Sequence, residues 1–480
     1  MRRIYFRMRK RKQSKRKSLL FCVFCLAFLC GCQGDIHTEP ETVPVETVQS
    51  DYEVEMEHRE GFVGEEEYEQ NFTRPQVNSN IFVDLMGYAP EDKKYAYFVG
   101  DNLSESFYVL ESATNKRVYT GTLKKMGNKK SEGKSVYKGD FSQITDPGVY
   151  YIQTAVIGQS YTFRVDENRY ETQYDELKKE FLELTPEKYY GDTKSVRERM
   201  QIYYTFQKLA TAYQFYPSSF GEDYEKKLEE HAQWILTVRE QVLTDRDARL
   251  REQGQSLNYA EPGDLEQQTV KEDYMFASAM ATAYVVLQPH NAPLAGQTLS
   301  QAQKAYQNAA RFKLSGDLQY MAAASLFRAV GNYTYHAAIK DAYKQDGTVL
   351  KPGYRLLTKE KTILCDAKLW GNLFYMTSLK GADMTICDAQ MSEMMNLCGE
   401  YLDIWPQSVF GRIAGKEDSL ESSIWLAIAD YIIVSREYRN LCKEQIHSML
   451  HNMEEIDLSH GKKATLLLIL GNLTESEDAE

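Results

Sequence analysis

Residues 139–153 read "GDFSQITDPGVYYIQ". One β-rich run ends at Phe141 and another begins at Gly148, with the turn signal "TDPG" (145–148) between them. Proline pre-sets φ, glycine tolerates unusual φ, and aspartate bonds its own backbone, so this tetrapeptide separates two strands. Working outward, similar runs recur as "IFVDL" (81–85), "KYAYFV" (94–99), "SFYVL" (106–110), "RVYTGTL" (117–123), "SVYKGDF" (135–141), "GVYYIQT" (148–154) and "YTFRV" (161–165). The segments "YAPED" and "ATNK" supply further turns. Seven short strands at this spacing predict an immunoglobulin-like β-sandwich over 81–168. Within it, "GNKKSEGKS" (127–135) resembles a phosphate loop, but it has one residue too many between its glycines and sits between strands. It is read as a turn.

After Tyr170 the period changes. "VRERMQIYYTFQKLATAYQFY", "YMFASAMATAYVVL", "LQYMAAASLFRAV", "DAKLWGNLFYMTSL" and "SIWLAIADYIIVS" repeat apolar residues at three- and four-residue steps. With the weaker segments counted, about twelve helices are expected over 169–474, joined by short turns that favour antiparallel neighbours. Six hairpins closed into an (α/α)6 barrel is the natural candidate, though periodicity alone does not distinguish it from a solenoid. The expected fold is therefore a β-sandwich followed by an all-α barrel, the two standing apart at about Asp166 to Glu171, with an acidic tail at 475–480.

The first 31 residues carry ten Lys or Arg and no acid, then a short apolar run from Leu19 to Leu29. That run falls short of the ~20 residues a spanning helix needs, and the pattern reads as a secretory signal. Leu29-Cys30-Gly31-Cys32 resembles a bacterial lipobox, which implies lipidation at Cys32 and a membrane-anchored protein of the bacterial cell envelope, folded outside the cytoplasm. Cys22 and Cys25 form a C-x-x-C inside the segment that would be removed. Residues 32–80 are acidic and turn-rich, with too few aliphatic residues to build a core, and are read as a tether. The full chain has a formal charge of −12, so without the signal it stands near −22. Such a surface repels phosphate backbones and argues against nucleic acid. The remaining cysteines are Cys365, Cys387, Cys398 and Cys442. Cys387 and Cys398 lie roughly 16 Å apart along one helix, too far for a disulfide. Buried free thiols are expected.

Particular residues carry a family resemblance. "VDLMGYAPEDKKYAYFV", "VYTGTL" and "GDFSQITDPGVYYIQ" are similar to the immunoglobulin-like module that precedes the catalytic domain in glycoside hydrolase family nine, the cellulase family. "YMFASAMATAYVVLQPHNAPLAGQTLSQAQKAYQNA", "YMAAASLFRAVGNYTYH" and "SREYRNLCKEQIHSMLHN" resemble that family's barrel helices. The resemblance implies inverting hydrolysis of β-1,4-glucans, without a cofactor. Inversion needs one carboxylate to activate water and another, ~6.5–9.5 Å away, to protonate the leaving oxygen. The family's base ends a Gly-Gly-Trp-x-Asp-Ala-Gly-Asp stretch. Here "TPEKYYGDTKSVRERM" (185–200) matches the final Gly-Asp as Gly191-Asp192, so the resemblance makes Asp192 the relic of the base. Glu187, Tyr189 and Tyr190 stand where the family has tryptophan, aspartate and alanine. The family's acid follows a His-His-Arg motif that is absent here. Glu454 and Glu455 lack the expected surroundings, and "ATLLLILGNLTESEDAE" reads as too short to return to the cleft, so no acid is assigned.

Several residues admit two readings. Asp192 is either a surviving base or a turn aspartate ahead of a helix. His447 and His451, at i and i+4, have a zinc-compatible spacing but no third ligand in view, and no metal site is assigned. Trp234, Trp370, Trp405 and Trp425 either stack on sugar rings or pack a core. The function expected is a surface lipoprotein that binds β-glucan, another polysaccharide or an envelope protein, with catalysis impaired. The alternative is a divergent, active β-glycosidase acting on plant β-glucans.

Overall fold

A computed structural model describes residues 77–252, 264–312, 316–346, 355–357, 362–364, 366–378, 381–413, 416–453 and 456–477. The basic leader, Cys22, Cys25, Cys32, nearly all of the acidic segment, Cys365, Glu454 and Glu455 lie outside the described residues. Residues from Asn78 onward form one compact unit. None of the described helices is long and apolar enough to cross a membrane.

Its first part is the sandwich. The strands are β1 (Ile81–Phe82), β2 (Tyr95–Val99), β3 (Ser106–Glu111), β4 (Arg117–Ser131), β5 (Lys134–Asp140), β6 (Gly148–Thr154), β7 (Gly158–Gln159) and β8 (Phe163–Val165). They order as β1-β2-β5-β4-β3-β6-β7, with β8 also on β6. All seven expected strands are present, and β7 is an addition. β4 belongs to both layers: Arg117–Thr122 pairs with β3, and the strand continues on β5 from Leu123 to Ser131. The phosphate-loop look-alike is therefore the distal part of the β4–β5 hairpin. Between the layers lie Ile81, Phe98, Phe107, Val109, Ile152 and Phe163. Phe107 needs bare backbone opposite it. A Cβ at Gly121 would fall 2.3 Å from its ring, and one at Gly139 2.6 Å from it.

The second part is helical: α1 (Arg169–Glu183), α2 (Pro186–Tyr190), α3 (Val196–Phe215), α4 (Pro217–Phe220), α5 (Glu222–Glu252), α6 (Asp264–Leu287), α7 (Ala292–Ala310), α8 (Asp317–Val330), α9 (Tyr333–Asp346), α10 (Ala367–Met376), α11 (Met384–Ile404), α12 (Lys416–Ile433), α13 (Arg436–Leu450) and α14 (His460–Glu477). A short hairpin, β9 (Arg355–Leu357) with β10 (Thr362–Leu364), precedes α10. α14 runs to Glu477, beyond the helical limit expected from composition.

Helices α3, α6, α8, α10, α12 and α14 form an inner ring, backed by α1, α5, α7, α9, α11 and α13. The ring closes where α14 packs on both α12 and α3. Paired contacts advance together along neighbouring inner helices. Lys208 of α3 meets Gly461 of α14, and Tyr216 meets Asn472. Arg199 meets Glu272 of α6, and Gln207 meets Ser278. These inner helices run parallel, as alternate helices in a ring of hairpins must. The buried alanines of "MAAA" (321–324) in α8 allow close approach of backbones.

The two parts do not stand apart at their junction. Arg169 and Tyr170 are buried, and Arg169 donates to Gly87 O and Asp84 of the sandwich. From sequence the two are expected to stand apart at about Asp166 to Glu171. A polar residue at a junction can equally be a buried donor, and here Arg169 is one.

Candidate functional site

The segment ahead of α3 sits at the end of the ring where the inner helices begin. Gly191 has φ +76°, a conformation that suits glycine, and terminates α2. Ser195 then caps α3: its side chain accepts from Glu198 N, while Glu198 bonds back to Ser195 N. This capping box fixes where the helix starts. Between them, Asp192 is exposed. Its Oδ1 accepts the Lys194 N–H at 2.9 Å, and Oδ2 lies 3.8 Å from Lys194 Nζ. The bend is held from below by Arg199, which donates to Thr193 O (3.0 Å) and Lys194 O (2.8 Å). Asp192 thus lies in an aspartate turn ahead of α3 and faces solvent.

Rings occupy the positions that the resemblance assigns to an aspartate and an alanine. Tyr189 is buried and stacks on His460 at 4.3 Å. Tyr190 stacks on Trp234 at 5.4 Å and bonds His231 Nδ1 through its hydroxyl at 3.1 Å. Phe181 and Tyr224 complete the cluster. Burial pushes His231 down to about 3, so it is neutral across the physiological range. Glu187 is exposed in α2.

Sequence reasoning missed the paired carboxylates of the barrel helices, because each lies in an otherwise ordinary amphipathic helix. Glu272 of α6 takes a two-point contact from Arg199 (2.7 and 2.9 Å), with Arg239 and Tyr203 each 3.3 Å from Oε1. Arg239 also pairs with Asp273. Glu421 of α12 accepts from Lys208 (2.7 Å) and Thr465 (2.7 Å) on Oε1, and from Tyr204 (3.3 Å) on Oε2. Glu180 of α1 is bridged by Lys463 at 2.8 Å on both oxygens, with His460 3.3 Å away. The Glu421 contacts lie two to three turns down α3, since Tyr204 and Lys208 are about 12 and 18 Å along the helix from Val196.

The expectation that the C-terminal stretch cannot return to the cleft is corrected. α14 is the closing inner helix, and its first turn meets Lys208 through Gly461 O (2.7 Å). Eighteen helical residues suffice because the preceding helix, α13, already lies against the ring.

His447 and His451 do not form a ligand pair. His451 caps α13 with ψ 122° and packs on Tyr97 and Phe82. His447 is buried between two sandwich aspartates, with Nδ1 2.8 Å from Asp84 and Nε2 3.3 Å from Asp92. Arg169 backs Asp84, Lys443 lies 3.2 Å from Asp92, and Tyr88 packs on the imidazole at 4.5 Å. Burial alone would lower the His447 pKa, but its bonds to the two aspartates raise it. Burial alone would raise both aspartates, but Arg169 and His447 at Asp84, and His447 and Lys443 at Asp92, pull them down. No group of three or more metal-ligating side chains with metal geometry occurs among the described residues. Trp370 and Trp425 are core residues 5.4 Å apart, and Trp234 and Trp405 are half-buried. Cys387, Cys398 and Cys442 are buried free thiols.

Comparison with known proteins matches residues 76–159 to the cellulase N-terminal immunoglobulin-like domain. Endoglucanase D of Acetivibrio thermocellus is 33% identical over 96 residues, which span 20% of this chain and 15% of that enzyme. The chain is cellulase-like, with the architecture of glycoside hydrolase family nine. Among solved structures, a Bacteroides ovatus family-nine protein superposes with TM-score 0.58 at 14% identity, over 83% of this chain and 99% of that one. A metagenome-derived family-nine endoglucanase gives 0.56 at 17%, over 77% and 83%. A thermostable endoglucanase of Alicyclobacillus acidocaldarius gives 0.56 at 14%, over 78% and 82%. At these identities the structural likeness establishes the fold, a sandwich followed by an (α/α)6 barrel.

Proposed function

We propose that this cellulase-like chain binds a polysaccharide through its barrel and has lost most or all hydrolytic power. One observation carries the reading: three buried or half-buried carboxylates along the barrel helices are held by partners within the chain, and Asp192 has its Oδ1 in a local turn. Asp192 is held by its own turn, Glu272 by two arginines, Glu180 by Lys463, and Glu421 by Lys208 and Thr465. An inverting mechanism needs a water-activating carboxylate with free lone pairs and a proton-bearing partner across the sugar. Tyr189 and Tyr190 fill the place of the family's supporting acid and its small neighbour. Binding depends less on carboxylates, because a sugar face on an aromatic ring is apolar burial worth about 25 cal/mol per Å².

The basic leader and the lipobox-like Cys32 support a lipid-anchored protein of the bacterial cell envelope with its folded part outside the cytoplasm. The alternative reading, an active β-glycosidase, requires Asp192 to serve as its base. Reducing-sugar release from carboxymethyl cellulose, lichenan and xylan separates the two. Hydrolysis is expected to be weak or undetectable and unchanged in Asp192→Asn, while affinity electrophoresis in neutral lichenan shows retardation. Strong hydrolysis that Asp192→Asn abolishes would restore the enzyme.

A further inference from the structure

The β4–β5 hairpin concentrates positive charge on an acidic protein. Residues 116–138 hold eight Lys or Arg and one acid, Glu132, in a chain of net charge −12. β3 covers β4 only as far as Thr122, so Lys124 and Lys125 lie on an open edge of the sheet. β2 covers β5 only as far as Val136, and beyond it the hairpin extends past the sandwich to Ser131 opposite Lys134. A Cβ added at Gly127 or Gly133 would meet nothing within 4 Å, as expected of a ribbon projecting into solvent.

Its lysines are arranged without regard to internal stability. Lys124 stands directly opposite Lys138, a like-charge pairing that weakens a sheet. Lys138 is drawn away against Tyr95 (3.4 Å to the ring centre) and Trp405 (4.6 Å), leaving Lys124 exposed. Lys125, Lys130 and Lys134 are exposed too. Asp101, within electrostatic reach of Lys125 and Lys130, already accepts the Ser135 N–H at 3.1 Å. Pairing register sets the faces. Lys124 and Lys134 share the face of Lys138, whereas Lys125 and Lys130 lie opposite Tyr137 and Ser135 on the other.

We propose that this ribbon is a docking surface for a linear acidic polysaccharide, such as a uronate chain, separate from the start of the inner ring. Cations on both faces decide the shape of the partner. A planar lipid surface reaches one face at a time, while a flexible polyanion crosses from one to the other. A single-stranded nucleic acid would share that shape, but its affinity draws on bases stacked upon open aromatic rings. The ribbon's Tyr137 is half-buried, with the Lys125 ammonium 6.0 Å above its ring.

Affinity electrophoresis of the full chain tests this, with polygalacturonate, neutral lichenan, single-stranded DNA or anionic phosphatidylglycerol vesicles in the gel or binding mixture. The comparison variant replaces Lys124, Lys125, Lys130 and Lys134 together by glutamine, its folding checked by its melting temperature. The wild type is expected to be retarded by polygalacturonate at low salt and released by about 0.5 M salt, as counter-ion exchange requires. The variant should lose at least about tenfold in that affinity while its behaviour in lichenan stays the same. That neutral arm reads the barrel independently, so the two proposals fail separately. No retardation by polygalacturonate, retardation undiminished in the variant, or equal or tighter binding to DNA or the vesicles would each overturn the proposal.

Discussion

Glu444 of α13 offers a quantitative test of the seam between sandwich and barrel. Its side chain is buried, and burial, opposed by His447 and then Lys138, pushes its pKa from the ordinary 4.5 up to about 8. Below about 4.5 the carboxyl is neutral whether the chain is folded or unfolded, and the group contributes no pH dependence. Between 4.5 and about 8 the unfolded chain ionises while the folded chain resists, so stability falls as pH rises. At about 1.4 kcal/mol per tenfold change in the proton equilibrium, the full loss is on the order of 5 kcal/mol as an upper limit. His447 acts in the same direction, since its pKa is raised and its stabilisation is lost as pH climbs through the folded value. Asp84 and Asp92 act oppositely, contributing above their ordinary 3.8 and failing only at stronger acid. The chain should therefore be most stable in mild acid. Glu444→Gln removes the ionisation but keeps the shape. In urea titrations from pH 5 to 9 it should differ little from wild type at pH 5 and become the more stable protein above pH 8. Parallel pH profiles for the two proteins would refute the argument.

Other outcomes follow from single contacts. Lys208→Met strands the Glu421 carboxylate in the ring and should cost about 3–5 kcal/mol in urea unfolding; adding Glu421→Gln should recover much of that loss. Trp370→Ala opens a cavity against Trp425 and loses the bond from its Nε1 to Tyr204, a cost of about 3–5 kcal/mol by the same assay. Cys32→Ala should abolish labelling by a clickable palmitate in membrane fractions, and labelling that persists would end the lipobox reading.

Most strands were legible because they are short, β-branched or aromatic, and bounded by a turn signal, so that "TDPG" alone separates β5 from β6; the extension of β4 to Ser131 runs through polar residues and was not. β7 escaped notice because Gly158–Gln159 is too short to show alternation. The inner helices were legible by period, but their hydrophobic spacing says nothing of ring closure. Closure depends on long-range pairs such as Lys208 with Gly461, which are 253 positions apart. The candidate site divides the same way. Asp192 was reached only through the match of Gly191-Asp192 to a family motif, whereas Glu272 and Glu421 show no local signal, since what marks them is the arginine or lysine brought opposite by folding.

The charges at the seam bear on what the sandwich does for the barrel. α13 backs the inner ring, and its polar face carries Lys443, Glu444 and His447 into the seam. With the sandwich in place but Asp84 and Asp92 changed to asparagine, His447 would lose both carboxylates and Arg169 would lose Asp84, leaving buried cations that are expensive to keep unpaired. The sandwich is thus the counter-charge for the barrel's outer wall. Losing Asp84 or Asp92 would therefore unbalance the seam on which the wall rests.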